Sequence, residues 1–128
     1  MKRLLATLAL ATVALVAAAC GSTSAADPSA PAAPADPNAP AVSANALKFD
    51  KADVTVPAGK AFQLTFTNQE SAPHNVAIYT DASAATNLFR GEIFSSGSKV
   101  YDVPALEAGT YFFRCDVHPD MQGTITAK

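Results

Sequence analysis

The 128-residue chain has no tryptophan, only two cysteines and few charged residues, which make up 16% of the sequence. Two cysteines are too few for a multi-disulfide scaffold, a zinc site with four cysteine ligands or an iron–sulfur cluster held by four cysteines. The net charge of −2 gives no basic surface of the kind that binds nucleic acid, so we predict no nucleic-acid partner. The length is that of a single domain.

The first 19 residues are predicted to be a signal peptide and not a part of the fold. Residues 1–3 are a basic start, and the apolar run over 4–19 is short for a spanning helix. Small residues lead directly to Cys20, an arrangement that resembles a bacterial lipoprotein signal with a lipidated cysteine. We therefore expect an extracytoplasmic protein anchored by lipid to a bacterial membrane, on its periplasmic or cell-surface side. The alternative for Cys20 is a disulfide with Cys115.

Residues 20–46 are predicted to be the lipid-anchor site followed by a disordered tether. This segment is rich in alanine and has five of the nine prolines, but it has no aromatic residue and only one valine, Val42. Such a composition buries too little apolar surface to offset the entropy of ordering. All ten aromatic residues lie in 47–128, which we therefore expect to be the folded domain.

The folded domain is predicted to be all-β. Phe62, Leu64 and Phe66 alternate with polar residues, which is typical of a half-buried strand. Similar short runs, separated by turn residues, are found around 54–56, 76–80, 99–103, 109–115 and 123–128. This pattern favours an antiparallel sandwich or barrel, with a tyrosine corner at Tyr111. The alanines within 81–90 permit a short helix there.

The densest chemistry lies between Cys115 and Met121. Cys115, His118 and Met121 follow one another at intervals of three residues, and all three are soft or borderline metal ligands. Soft sulfur with imidazole selects copper over magnesium or calcium, and the blue-copper arrangement uses two histidines, a cysteine and a weak axial methionine. The second histidine has to be His74, since the chain has only two.

These segments resemble the cupredoxin family of type I (blue) copper proteins, and most of all its plastocyanin, pseudoazurin and amicyanin branch. The resemblance covers 47–128 and rests on residues 109–126, with their Cys-x2-His-x2-Met loop, and on residues 73–76. It implies a Greek-key β-sandwich of about eight strands with one copper at one end. The implied ligands are His74, Cys115, His118 and Met121.

The resemblance also implies roles for residues around the copper. Asn75 corresponds to a position whose hydrogen bonds tie the two ligand-bearing segments together. His118, flanked by Val117 and Pro119, is the expected electron port. Residues 57–59 and Pro73 are expected to extend the apolar surface around that port.

The function implied is electron transfer without enzymatic activity, as a one-electron shuttle between extracytoplasmic redox partners. Four protein ligands leave no coordination position for a substrate. Residues 20–128 carry seven basic and eleven acidic side chains, which suits a basic partner such as a c-type cytochrome, or a copper or haem enzyme. We expect a monomer.

Other functions fit the same residues less well. A copper chaperone or storage module on the same fold is the main alternative, although the chain has no methionine-rich or histidine-rich tract. An enzyme with a Cys115–His118 nucleophile lacks a recognisable oxyanion hole. A binuclear copper site would need a second cysteine in the ligand loop, and zinc would accept thiolate and imidazole but is poorly matched to methionine.

Overall fold

The structure, a computed structural model, describes residues 38–128, and these residues contain nine β-strands and no helix. The strands are β1 (Ala41–Asn45), β2 (Lys48–Phe49), β3 (Asp53–Val56), β4 (Phe62–Asn68), β5 (Ala77–Tyr79), β6 (Asn87–Arg90), β7 (Gly97–Val103), β8 (Gly109–Arg114) and β9 (Gln122–Ala127). The all-β sandwich predicted from the sequence is confirmed, with nine strands where about eight were expected. The predicted signal peptide, Cys20 and most of the predicted tether lie outside the described residues.

The strands form two sheets. One sheet has the order β2–β1–β4–β7, and the other has the order β3–β9–β8–β5–β6. Most neighbouring strands are antiparallel, but β1 runs parallel to β4 and β3 runs parallel to β9. The predicted antiparallel sandwich is therefore corrected to a sandwich that contains two parallel strand pairs. Parallel neighbours are joined by long crossovers, which local turn signals do not reveal.

The ordered domain begins earlier than residue 47. Strand β1 lies inside the segment predicted to be a tether, where it pairs with β4. Val42 and Ala44 are buried and alternate with more exposed neighbours, as one face of a strand requires. The prediction failed here because alanine gives little strand signal, although it fits a close-packed core.

The core lies between the two sheets and is built around aromatic side chains. Phe66 of β4 is fully buried, and its ring lies 6.2 Å from that of Phe49, 5.5 Å from that of Phe94 and 6.1 Å from that of Tyr101. Phe113 of β8 enters from the opposite sheet and lies 5.1 Å from Phe49. Such offset and edge-on ring pairs stabilise a core beyond the area that they bury.

The tyrosine corner predicted at Tyr111 is present. The Tyr111 hydroxyl donates a hydrogen bond of 2.9 Å to the Glu107 carbonyl, four residues upstream. This contact fixes the chain as it enters β8, the strand that leads to Cys115.

Two other expectations are wrong. Residues 81–86 form turns and not a helix, and Ala84 has a left-handed backbone conformation with φ of 52°. The turn at 57–59 lies at the Phe62 end of β4, whereas His74 follows the Asn68 end, roughly 20 Å away at strand geometry. That turn therefore cannot extend the apolar surface around His118. Within 38–128 we find no helix of the length and hydrophobicity needed to cross a membrane.

Candidate metal centre

His74 is held in a fully buried position just before β5. Its backbone N–H and carbonyl each form a 3.1 Å hydrogen bond with Phe94, so the two residues make an isolated antiparallel bridge. The preceding loop is shaped by buried Asn68, whose side-chain amide donates to the Ala72 and Phe94 carbonyls at 2.8 Å each. These bonds fix the position of the His74 backbone before any metal is bound.

Cys115 lies directly after β8 and begins a compact ligand loop, which we define as residues 115–121. The Cys115 N–H donates to the Met121 carbonyl at 2.9 Å, and the Met121 N–H donates to the His118 carbonyl at 2.9 Å. The loop therefore closes on itself between β8 and β9. The side chains of Cys115 and Met121 are buried, whereas that of His118 is partly exposed.

Three predicted ligands converge at this end of the sandwich. The Cys115 Sγ lies 3.6 Å from the His74 Nδ1 and 3.9 Å from the His118 Nδ1, and the two Nδ1 atoms are 3.1 Å apart. Three points at these separations lie on a circle of radius about 2.1 Å, near the metal–nitrogen bonds of about 2.0–2.1 Å and metal–sulfur bonds of about 2.3 Å in protein sites. The triangle is thus the right size for one ion.

The donor chemistry also fits copper. A thiolate and two imidazoles form a trigonal set of the kind that holds copper with a weak axial methionine. Met121 is buried, and its backbone bonds join it to both Cys115 and His118. All four residues singled out in the sequence are therefore brought to one end of the fold.

Asn75 links the two ligand-bearing segments. Its Oδ1 accepts a 2.8 Å hydrogen bond from the Asp116 N–H, and its Nδ2 donates to the Gly91 carbonyl at 3.1 Å and to the Asp116 Oδ2 at 3.3 Å. Asn75 is fully buried beside His74, and Asp116 follows Cys115. One amide side chain therefore ties the segment of the first histidine to that of the cysteine.

Glu70 makes a contact that the sequence analysis missed. Its Oε1 lies 2.8 Å from the His74 Nε2 and also accepts a 2.9 Å hydrogen bond from the Leu47 N–H. The Leu47 N–H lowers the pKa of Glu70 most, burial opposes this shift, and His74 lowers the pKa further. A carboxylate on the far nitrogen fixes the tautomer and ring orientation of a metal-ligating histidine.

Asp116 is surrounded by partners that stabilise its charge. It accepts hydrogen bonds from the Tyr79 hydroxyl and Asn75, and it pairs with Arg90 and Arg114. Burial alone would raise the pKa of Asp116, but the bonds from Tyr79 and Asn75 and the arginine charges outweigh burial and hold this pKa below its ordinary value. The sequence suggested no role for Asp116, because its partners come from three other strands.

Exposed apolar side chains border the centre. The large hydrophobic residues with the greatest exposure in 38–128 are Leu47, Ile93 and Val117. Leu47 bonds Glu70, Ile93 precedes Phe94, which bridges to His74, and Val117 precedes His118. Pro119 and Pro73 are also exposed, next to the histidines. Exposed apolar side chains therefore lie on the segments that carry or contact the two histidines.

The fold and this centre define a cupredoxin, and comparison with known proteins gives the same family. The Cupredoxin-like domain matches residues 9–127, so the chain belongs to the cupredoxin family. It is 31% identical to amicyanin of Paracoccus versutus over 87 residues, which are 68% of this chain and 63% of that protein. It is 30% identical to plastocyanin of Sambucus nigra over 91 residues, 65% of this chain and 90% of that protein.

Solved structures give a similar result. The structure of Paracoccus versutus amicyanin matches with a TM-score of 0.57 at 29% identity, covering 73% of this chain and 84% of that one. Reduced auracyanin of Roseiflexus castenholzii matches with a TM-score of 0.61, covering 69% of this chain and 94% of that one. At 22% identity, the auracyanin match shows the fold alone. The cofactor is copper, with one type I site per chain, and the His74, Cys115 and His118 cluster is the candidate site for it.

Proposed function

We propose that this chain is a blue copper electron-transfer protein, a membrane-anchored one-electron shuttle between extracytoplasmic redox partners. The observation that carries the proposal is the triangle formed by the His74 and His118 Nδ1 atoms and the Cys115 Sγ. Its size suits a single ion, and its donors, with Met121, suit copper. The amicyanin and plastocyanin relatives support the same conclusion.

The bound ion would supply one-electron chemistry between Cu(I) and Cu(II). The protein's own part is to hold the ligands in one arrangement and to exclude water. Full burial of His74 and Cys115 and the Glu70 bond to His74 support this, because they leave these groups little freedom to rearrange. Four protein ligands leave no coordination position for a substrate, which supports a carrier and not an enzyme.

Titration of the purified protein with Cu(II) tests the centre. We expect one equivalent to give an intense blue thiolate-to-copper absorption band, a type I EPR signal and reversible one-electron voltammetry. The Cys115→Ser variant should give none of the colour. A colourless adduct, or a blue band that survives Cys115→Ser, would contradict the proposal. Copper that exchanges readily but shows no reversible redox cycle would instead favour the chaperone or storage function.

We propose that partners dock around the electron port of His118, Val117 and Pro119, with Leu47 and Ile93 at its border. His118 is partly exposed, and its Nδ1 is one corner of the ligand triangle. The exposed apolar residues near it suit the small, transient contacts of electron-transfer partners. The excess of acidic over basic residues suits a basic partner, such as a c-type cytochrome or a haem or copper enzyme.

Val117→Asp tests the docking surface. It should lower the bimolecular rate of electron transfer to a basic cytochrome at least tenfold, since a charge placed at the centre of an apolar contact loses its hydration on docking. The absorption band should change little, since Val117 is not one of the four proposed ligands. An equal rate for Val117→Asp and wild type would place docking elsewhere.

We also propose that residues 1–19 are a signal peptide, that Cys20 is lipidated and that the following residues are a tether. With β1 beginning at Ala41, the tether is about 20 residues, which extends to roughly 60 Å in a polyproline conformation. Stable membrane attachment generally takes two anchoring signals, such as two acyl chains. The Cys20→Ser variant should appear in the soluble extracytoplasmic fraction, and membrane retention of that variant would contradict lipid anchoring.

A further inference from the structure

We propose that Asp116 and Arg90 form a charge pair that tunes the reduction potential of the copper centre, with the carboxylate favouring Cu(II) and the guanidinium favouring Cu(I). The inference rests on the proposed function. Asp116 directly follows Cys115, so its carboxylate is a fixed charge one residue along the chain from the proposed thiolate ligand. Nothing in the ligand set itself requires a charged residue at this position.

The geometry shows a carboxylate that is held in place on both oxygens. Its Oδ2 lies 2.8 Å from the Arg90 Nε and accepts a hydrogen bond of 3.3 Å from the Asn75 Nδ2. Its Oδ1 accepts a hydrogen bond from the Tyr79 hydroxyl and lies 3.7 Å from the Arg114 Nε. With partners on β5, β6 and β8 and at Asn75, the carboxylate is held in one position relative to the backbone that carries Cys115.

The two members of the pair differ in their access to water. The Asp116 side chain is 16% exposed, whereas that of Arg90 is 59% exposed. Water therefore screens the arginine better than the carboxylate, and the carboxylate depends on its protein partners. Arg114 stacks over the Tyr79 ring at 5.0 Å, and its buried Nε has no hydrogen-bond partner among the described residues, so it neutralises Asp116 less completely than Arg90 does.

The sign of each effect follows from Coulomb's law. Reduction adds one electron to the centre, and a nearby negative charge disfavours that electron while a nearby positive charge favours it. Replacing Asp116 by a neutral residue should therefore raise the potential, and replacing Arg90 should lower it. A purely structural role predicts something else, since loosening the site by either change should disturb the copper spectrum and shift the potential in the same direction.

Asp116→Asn and Arg90→Gln test this directly, because each removes one charge and keeps a polar side chain, and asparagine keeps one oxygen that can accept the Tyr79 bond. At constant pH, we expect each variant to change the ratio of Cu(I) to Cu(II) affinity about tenfold, in opposite directions, which is about 59 mV for one electron. The double variant should lie near wild type. Arg90→Lys keeps the charge and should shift the potential least.

Glu92→Gln and Lys99→Gln provide matched controls, since these residues form an exposed ion pair of 2.5 Å that does not touch the ligand loop. Opposite shifts in the Asp116 and Arg90 variants, larger than in the controls and with unchanged absorption and EPR spectra, would support the inference. Shifts in the same direction, or no larger than in the controls, would overturn it. A wild-type protein that forms no blue complex would overturn the proposed function instead.

Discussion

The two segments that carry the proposed histidine ligands are built in opposite ways. His74 is fully buried, its backbone is bridged to Phe94, and its outer ring nitrogen meets Glu70. His118 lies in a short loop closed by two backbone hydrogen bonds and is partly exposed between Val117 and Pro119. The difference assigns two tasks, because a buried ligand is kept in one orientation while an exposed ligand can be reached from outside.

The carboxylates on the two sides differ as well. Glu70 contacts the ring of His74 itself, so it acts on the orientation of a proposed ligand. Asp116 contacts no ligand ring and instead bonds Asn75, Tyr79 and Arg90 around the loop that carries Cys115. Glu70 therefore positions the His74 ring directly, whereas the contacts of Asp116 position the chain next to Cys115.

The largest effect is expected when each histidine is removed in turn. His118→Gly and His74→Gly should both abolish the blue band, since each removes one corner of the ligand triangle. Added imidazole should restore the band in His118→Gly, because that position opens to solvent. It should fail to restore it in His74→Gly, where burial and the Phe94 bridge block entry.

Absorption and EPR spectra recorded during an imidazole titration measure the rescue. Wild-type protein with the same imidazole controls for copper lost to free imidazole. Equal rescue of both glycine variants would show that the two positions are equally accessible to solvent, which contradicts the proposed difference between them.

Removing the carboxylate on His74 should have a smaller effect. Glu70→Ala frees the His74 Nε2 and leaves the Leu47 N–H without its acceptor, so we expect copper affinity to fall by about 10–100-fold. Glu70→Gln keeps an acceptor oxygen, so its copper affinity should fall less. Copper competition with a chelator measures the affinity.

The metal-free protein provides an independent readout of the same contact. Imidazole nitrogen shifts in NMR should show His74 as one tautomer, protonated at Nε2, in wild type and as a mixture in Glu70→Ala. His118 should keep its tautomer ratio in both proteins. A single, unchanged His74 tautomer in Glu70→Ala would mean that the Phe94 bridge alone positions this ring.

The candidate site was more predictable from the sequence than its surroundings. Cys115, His118 and Met121 can be recognised from the sequence because few short segments contain three soft or borderline metal ligands. The chain has only one other histidine to complete the set. Their convergence in the structure depends on β5 lying beside β8, where Ala77 pairs with Arg114. That register is tertiary, and no local pattern encodes it.

The missed features share a physical cause. Val42 and Ala44 form a strand only through parallel pairing with the distant β4, which overrides an alanine-rich and proline-rich composition. Glu70 gains its role from the turn between β1 and β2, and Asp116 gains its role from Arg90 on β6. Sequence reasoning finds residues whose chemistry is rare, whereas common charged residues acquire meaning from neighbours that only the fold supplies.

The smallest test concerns the turn that supports the His74 side. Ala46 and Leu47 both have left-handed backbone conformations, with φ of 52° and 58°, and Leu47 then donates to Glu70. A left-handed conformation costs a residue with a Cβ atom about 1–2 kcal/mol, and a change to glycine removes this cost. Glycine also makes the unfolded chain freer, which lowers stability by about 0.4–1 kcal/mol and offsets part of the gain. We expect Ala46→Gly to stabilise the metal-free protein by up to about 1 kcal/mol, or a few degrees in Tm.

Ala84→Gly is the matched control, because Ala84 has the same φ of 52° in a turn that makes no contact with Glu70. Thermal unfolding should show a similar rise in Tm for both variants. The blue band should be unchanged in both, since glycine at 46 leaves the Leu47 N–H on Glu70. A fall in Tm for Ala46→Gly alone would mean that the Ala46 side chain itself stabilises the turn. A shifted blue band for Ala46→Gly alone would show that strain in this turn reaches His74 through Glu70, so that the buried side of the centre depends on its hairpin as much as on its burial.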